Sequence, residues 1–134
     1  MAQDIAARMQ APGDSHVITG DYSPKELKAL LGRAHLAIGS RMHGLILSAG
    51  EGVPILAICF NDKTRDFCRT LGQERWMIEE SEVTDPEGLS AFILEAWANR
   101  EALRRGVTAR RDELRREVRA NVERLGALLG RGRT

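Results

Sequence analysis

The sequence predicts an α/β fold: a parallel sheet of about four strands with helices on both faces, followed by long C-terminal helices. Short apolar, strand-like runs alternate with segments of helical periodicity. Ile55-Leu56-Ala57-Ile58-Cys59-Phe60 is apolar without a break, as in a strand buried on both faces. Two polar turns, 39–44 and 60–63, each lead from such a run into a helical segment. Strand, crossover helix, strand is the connection that makes neighbouring strands parallel.

Taken in order, residues 4–9 read as a helix ended by Pro12-Gly13-Asp14, and His16-Val17-Ile18-Thr19 as a short strand. Ser23-Pro24-Lys25-Glu26 opens the next helix with a Ser cap, Pro at the first helical position and Glu placed for a capping box. The strand Leu36 to Gly39 leads through a polar turn into a helix ending near Gly50 or Gly52. After the Ile55–Phe60 strand, Asn61-Asp62-Lys63 turns into a helix that Gly72 can close, with Asp62 as its expected cap. Trp76-Met77-Ile78 reads as a last short strand, and Asp85-Pro86-Glu87 caps a helix whose apolar face holds Leu89, Phe92, Ile93, Ala96 and Trp97. Beyond Gly106, residues 109–129 form a charged helix striped by Leu114, Val118, Val122, Leu125 and Leu129. This divides the chain into an α/β Rossmann-like domain, 1–98, and an Arg-rich helical extension, 99–134.

The bulk properties narrow the classes. A chain of 134 residues with 43% apolar and 29% charged residues is one soluble globular domain. No apolar run approaches the ~20 residues needed to cross a bilayer, and the first residues lack the basic-then-apolar layout of a signal peptide. The cytoplasm is the expected location, with the inner face of the membrane as a second place for it. Cys59 and Cys68 read as buried, reduced thiols, and no Cys/His cluster has zinc spacing, so no metal and no cofactor are expected. Gly-x-Gly-x-x-Gly, a Walker-type loop and a Gly-x-Ser-x-Gly elbow are all missing, which weakens dinucleotide, P-loop and serine-hydrolase readings.

Charge is uneven. Residues 1–98 carry 9 Lys/Arg against 14 Asp/Glu, whereas residues 99–134 carry 11 Arg against 5 acids. No aromatic residue interleaves those arginines, so nucleic acid is not an expected partner. A basic amphipathic helix suits peripheral contact with anionic membrane. Glu101 with Arg105 and Asp112 with Arg116, at i,i+4, suit a solvated or domain-docking helix instead.

The candidate site is Gly39-Ser40-Arg41-Met42-His43-Gly44. A strand-to-helix junction sets backbone N–H groups at the mouth of a sheet, where they attract anions. Arg41 adds a bidentate fork for phosphate or carboxylate, and His43 a titratable donor near neutral pH. Ser40 is the expected helix cap, with a secondary hydroxyl contact to ligand. Lys63, at the next turn, is a candidate second cation. In sheets of this kind ligands bind beyond the C-terminal strand ends, where both turns fall.

Residues 38–44, then Ser48-Ala49, Gly52-Val53-Pro54-Ile55 and Phe60-Asn61-Asp62-Lys63, together resemble the polysaccharide pyruvyl transferase family. The likeness rests on Arg-x-His at a helix start, Gly-x-Pro before a strand, then an aromatic residue and a Lys; it covers roughly residues 15–80. It implies a two-domain architecture like the GT-B glycosyltransferases, with this chain as most of the C-terminal half. It also implies transfer of a pyruvyl group from phosphoenolpyruvate to a sugar or lipid-linked glycan during cell-surface polysaccharide synthesis. Arg41 and Lys63 would then hold phosphate and carboxylate, and His43 would donate to the phosphate or protonate the enolpyruvyl methylene. Phe60 stands where the family commonly has Tyr, and His35 where an acid is common. The expected partners are a missing N-terminal domain or a second copy, and a half-enzyme alone is expected to bind without turnover. Two other readings stay open: a GT-B glycosyltransferase or sugar-nucleotide epimerase half-domain, and a non-catalytic truncated binding module.

Overall fold

Strand β2 (Ile55–Cys59) is the centre of the molecule. Its side chains alternate between two apolar layers. Ile55, Ala57 and Cys59 join Leu45, Ala49, Cys68, Leu71 and Val107 in one core cluster. Leu56 joins Trp76, Ile78, Ala96 and Leu103 in the other, with Ile58 packed against it. An uninterrupted apolar run thus serves both faces of one strand, as the sequence predicts.

The computed structural model describes residues 2–10 and 12–130. Strands β1 (Ala37–Gly39) and β3 (Met77–Glu79) flank β2, and all three are parallel in the order β1-β2-β3. Ala37 lies opposite Ile55, and Ala57 opposite Met77. Crossovers are made by α3 (Met42–Gly50) and α4 (Asp62–Thr70), which pack on the first core layer. Helix α5 (Pro86–Ala98) covers the second, through Leu89, Phe92, Ile93 and Ala96. Trp97 stays partly exposed, edge-on to His35 and under the Arg100 guanidinium.

The sheet has three strands among the described residues, where the sequence suggested about four. Residues 16–19 form no strand, and Ile18 is exposed. Four residues with only Val17 half-buried remove too little apolar surface from water to hold a strand in place. The remaining N-terminal segments are α1 (Ala2–Ala7), a 3-10 turn at Pro12–Asp14, and α2 (Pro24–Leu31). The α2 start forms as its sequence predicts. Ser23 Oγ accepts from Glu26 N at 3.3 Å, and Ser23 N donates to Glu26 Oε2 at 2.9 Å.

Helix α6 (Arg100–Gly130) also departs from expectation, running through Gly106 without a break. Leu103, buried in the second layer, and Val107, buried in the first, hold it three residues before that glycine and one after. Its arginines reach carbonyls at segment ends that no helical amide can satisfy. Arg104 donates to Ala34 O at 2.7 Å, Arg110 to Thr70 O at 2.8 Å and Arg115 to Gly50 O at 3.1 Å. The ion pairs along α6 join Arg110 to Glu113 and Glu117, and Asp112 to Arg111 and Arg115, rather than the expected i,i+4 partners. Positions 131–134 of the expected extension lie outside the described residues. No described helix is long and apolar enough to cross a membrane.

Candidate functional site

Two strand-to-helix turns stand side by side at the C-terminal edge of the sheet, because β1 and β2 are parallel neighbours. The first ends β1 at Gly39 and starts α3 at Met42. Ser40 is not its cap. Arg41 holds the cap position, in extended conformation with φ −87° and ψ 112°, and no side chain caps the helix. The helix begins one residue later than the Ser cap required, which moves the Ser40 hydroxyl out of reach of the N2 and N3 amides. The first-turn amides of α3 therefore keep their donor capacity at a positive helix end.

Arg41 and His43 are both exposed. Gly44 lies between them and the helix body, and a Cβ built there meets nothing within 4 Å. The fold itself does not require a glycine at that point, although one costs roughly 1 kcal/mol inside a helix relative to alanine. A groove of about 450 Å³ opens here and follows β1 between α2 and α3. Leu31, Leu36, Ile38 and Leu45 supply its apolar wall, with Ser40, Arg41 and Gly44 at its mouth. Ser48 also lines it, and the buried Ser48 Oγ has no hydrogen-bond partner.

The second turn is finished differently. Asn61, not Asp62, is the cap: its Oδ1 accepts from Thr64 N at 3.0 Å. Asp62 instead accepts from Arg65 Nη1 at 2.8 Å. Arg65 also forks Glu79 at the end of β3, with Nε to Oε1 at 2.8 Å and Nη2 to Oε2 at 2.5 Å. The Arg65 guanidinium holds the Glu79 carboxyl below its ordinary pKa, and Glu79 in turn raises that of Arg65. This fork ties the start of α4, and with it the exposed Lys63, to the third strand. Sequence reasoning missed it because its partners lie 14 residues apart; Asp62 and Arg65 at i,i+3 were the only local sign.

Behind the second turn, the thiols of Cys59 and Cys68 are buried and free. Burial raises both, Cys68 to about 12. Thiols held protonated in this way are poor nucleophiles and poor metal ligands. Among the described residues no group of three or more His, Cys, Asp or Glu side chains is placed to hold a metal ion.

The family model described as polysaccharide pyruvyl transferase matches residues 2–58. The match takes in fewer than half of the 134 residues. A curated relative, the amylovoran biosynthesis protein AmsJ of Erwinia amylovora, is 36% identical over 56 residues. That alignment takes in 42% of this chain and 14% of the relative, so the chain spans a small part of the protein it matches. No solved structure matches the chain significantly.

The matched segment contains Ser40, Arg41 and His43 and stops short of Lys63. It also contains Gly52-Val53-Pro54, whose spacing the fold explains. Gly52 has φ +79°, and a Cβ there would stand 2.8 Å from Thr108 Oγ1 and 3.0 Å from Arg111 Nη1. Only glycine both adopts that left-handed turn readily and lets α6 pass so close. Val53 and Pro54 are then buried at the entrance to β2.

Proposed function

We propose that residues 39–44 form the donor-binding part of a polysaccharide pyruvyl transferase acting in cell-surface polysaccharide synthesis, with phosphoenolpyruvate as donor. One observation carries this reading: α3 starts at the sheet edge uncapped, with Arg41 in its cap position and open space over Gly44. Unoccupied amides and a guanidinium fork at one point are complementary to phosphate or carboxylate.

In this mechanism Arg41 and the α3 amides hold the phosphate while Lys63, across the neighbouring turn, faces the carboxylate. Ser40 Oγ, free of a capping role, contributes a further hydrogen bond. His43 delivers a proton to the enolpyruvyl methylene, which becomes a methyl group and leaves the adjoining carbon cationic. Two sugar hydroxyls add to that carbon, phosphate departs, and a ketal remains. Of the two hydroxyl protons, one restores His43 and the other leaves with phosphate. Excluding water from the cation requires a second wall over the site. A GT-B-like N-terminal half supplies it in this reading, with the acceptor, a sugar or lipid-linked glycan, entering between the halves from the cytoplasmic side of the membrane.

Calorimetric titration of phosphoenolpyruvate into the folded chain tests the proposal. Saturable binding is expected, weakened about tenfold or more in Arg41→Ala, the scale of a lost charged hydrogen bond. Gly44→Ala should weaken it too while leaving the chain at least as stable. Undiminished binding by Arg41→Ala, or none by the folded wild type, would overturn the assignment.

A further inference from the structure

Helix α6 leaves the body of the molecule with an apolar stripe uncovered. Its 31 residues make it roughly 46 Å long. After Leu114 every described residue except Ala120 is exposed. Val118 is 61% exposed, Val122 64%, Leu125 56%, Leu128 68% and Leu129 67%. The stripe starts in a second groove, of about 460 Å³, between α3, α4 and α6. Ile46, Phe67, Leu71, Leu114 and Val118 give it apolar walls, and Arg111, Arg115 and Arg119 rim it.

We propose that this face is covered by the same face of a second copy, the two α6 helices running antiparallel. Leu114, Val118, Asn121, Leu125 and Leu128 are spaced four, three, four and three residues apart, the repeat of a helix-pairing seam. In antiparallel register Leu114 meets the partner's Leu125, and Val118 meets the partner's Asn121. The same register sets Glu117 beside the partner's Arg124, twice by two-fold symmetry. The other flank sets Arg115 beside the partner's Val122. Among the described residues these flanks bring no like charges together. A parallel pair would instead place Arg110 beside the partner's Arg115, a repulsion made twice by symmetry.

The register also decides what fills the groove. The partner's Leu128 comes level with Arg111, one of the arginines at its rim. Each helix tip then closes the other molecule's groove, and Asn121, a lone polar residue in the seam, fixes the alignment. Glu117 lies 3.6 Å from Arg110 of its own helix, so the arriving Arg124 extends an existing row of alternating charge.

Equilibrium sedimentation of the full chain tests this, with circular dichroism confirming that each exposed-face variant stays helical. The wild type should be a reversible dimer at micromolar concentration. Glu117→Arg and Arg124→Glu should each weaken it about tenfold, and the double variant should restore it. A wild type that stays monomeric up to about 100 μM, or a double variant no tighter than the singles, would overturn the proposal. So would a monomer that binds phosphatidylglycerol vesicles and loses them on Leu125→Asp, which would assign the stripe to a lipid surface.

Discussion

Helices α3 and α4 start at the C-terminal ends of neighbouring strands, and their first turns differ in what meets the amide donors. At α4 the Asn61 carboxamide accepts from Thr64 N, while the Arg65–Glu79 fork ties the helix to β3. At α3 the cap position holds Arg41, which carries no acceptor, and Gly44 leaves the approach clear. One turn is complete within the fold. The other has the donors and the charge for an anion and nothing of its own to satisfy them. Proximity to a strand end is therefore a weak guide to a binding site, because both turns have it. The sharper criterion is whether the protein has already used the helix-end amides.

Four variants would break or sharpen that contrast. Arg41→Asp makes the first turn resemble the second: the new carboxylate caps α3 and repels anions. It should remove phosphoenolpyruvate binding by about 100-fold or more, near 3 kcal/mol, while raising stability by about 1 kcal/mol. Calorimetry and urea denaturation read the two effects separately. Improved stability with intact binding would show that the anion sits elsewhere.

Asn61→Ala should cost about 1 kcal/mol, whereas Ser40→Ala should change stability by only a few tenths, because Ser40 caps nothing. Equal losses in urea melts of the two variants would contradict the cap assignment.

The smallest effect concerns the fork. Glu79 has a lowered carboxyl pKa in the fold, so the Arg65 interaction is fully present above the ordinary carboxylate value of 4.5 and is lost as pH falls through the folded one. Glu79→Gln should therefore melt slightly earlier than wild type at neutral pH, and the gap should close in acid. A gap that persisted unchanged at pH about 3 would mean that ionisation of Glu79 contributes nothing.

Much of this was legible in the residues. The α2 capping box, the doubly buried β2 and the Asp85-Pro86 start of α5 all formed where their local signals lay. Gly72, at φ +69°, closes α4 as expected. The junction around Arg41 and His43 was visible as a strand-to-helix turn, and the family match includes both residues. What failed were inferences that required a distant partner. Val17 and Ile18 have strand-forming side chains but form no strand, and Gly106 looked like a boundary until Leu103 and Val107 were seen anchored in separate core layers.

By itself, then, the sequence determined features whose causes lie within about four residues: the starts of α2 and α5, turn glycines, and the alternation of apolar runs that makes the sheet parallel. Capping and backbone preference act over that range and need no knowledge of the rest of the chain. Tertiary structure decided which turn kept its donors, how α6 bridges both core layers, and that Arg65 reaches Glu79. Those depend on strand order and on exact helix starts. A shift of one residue moved the cap from Ser40 to Arg41 and left the amides free.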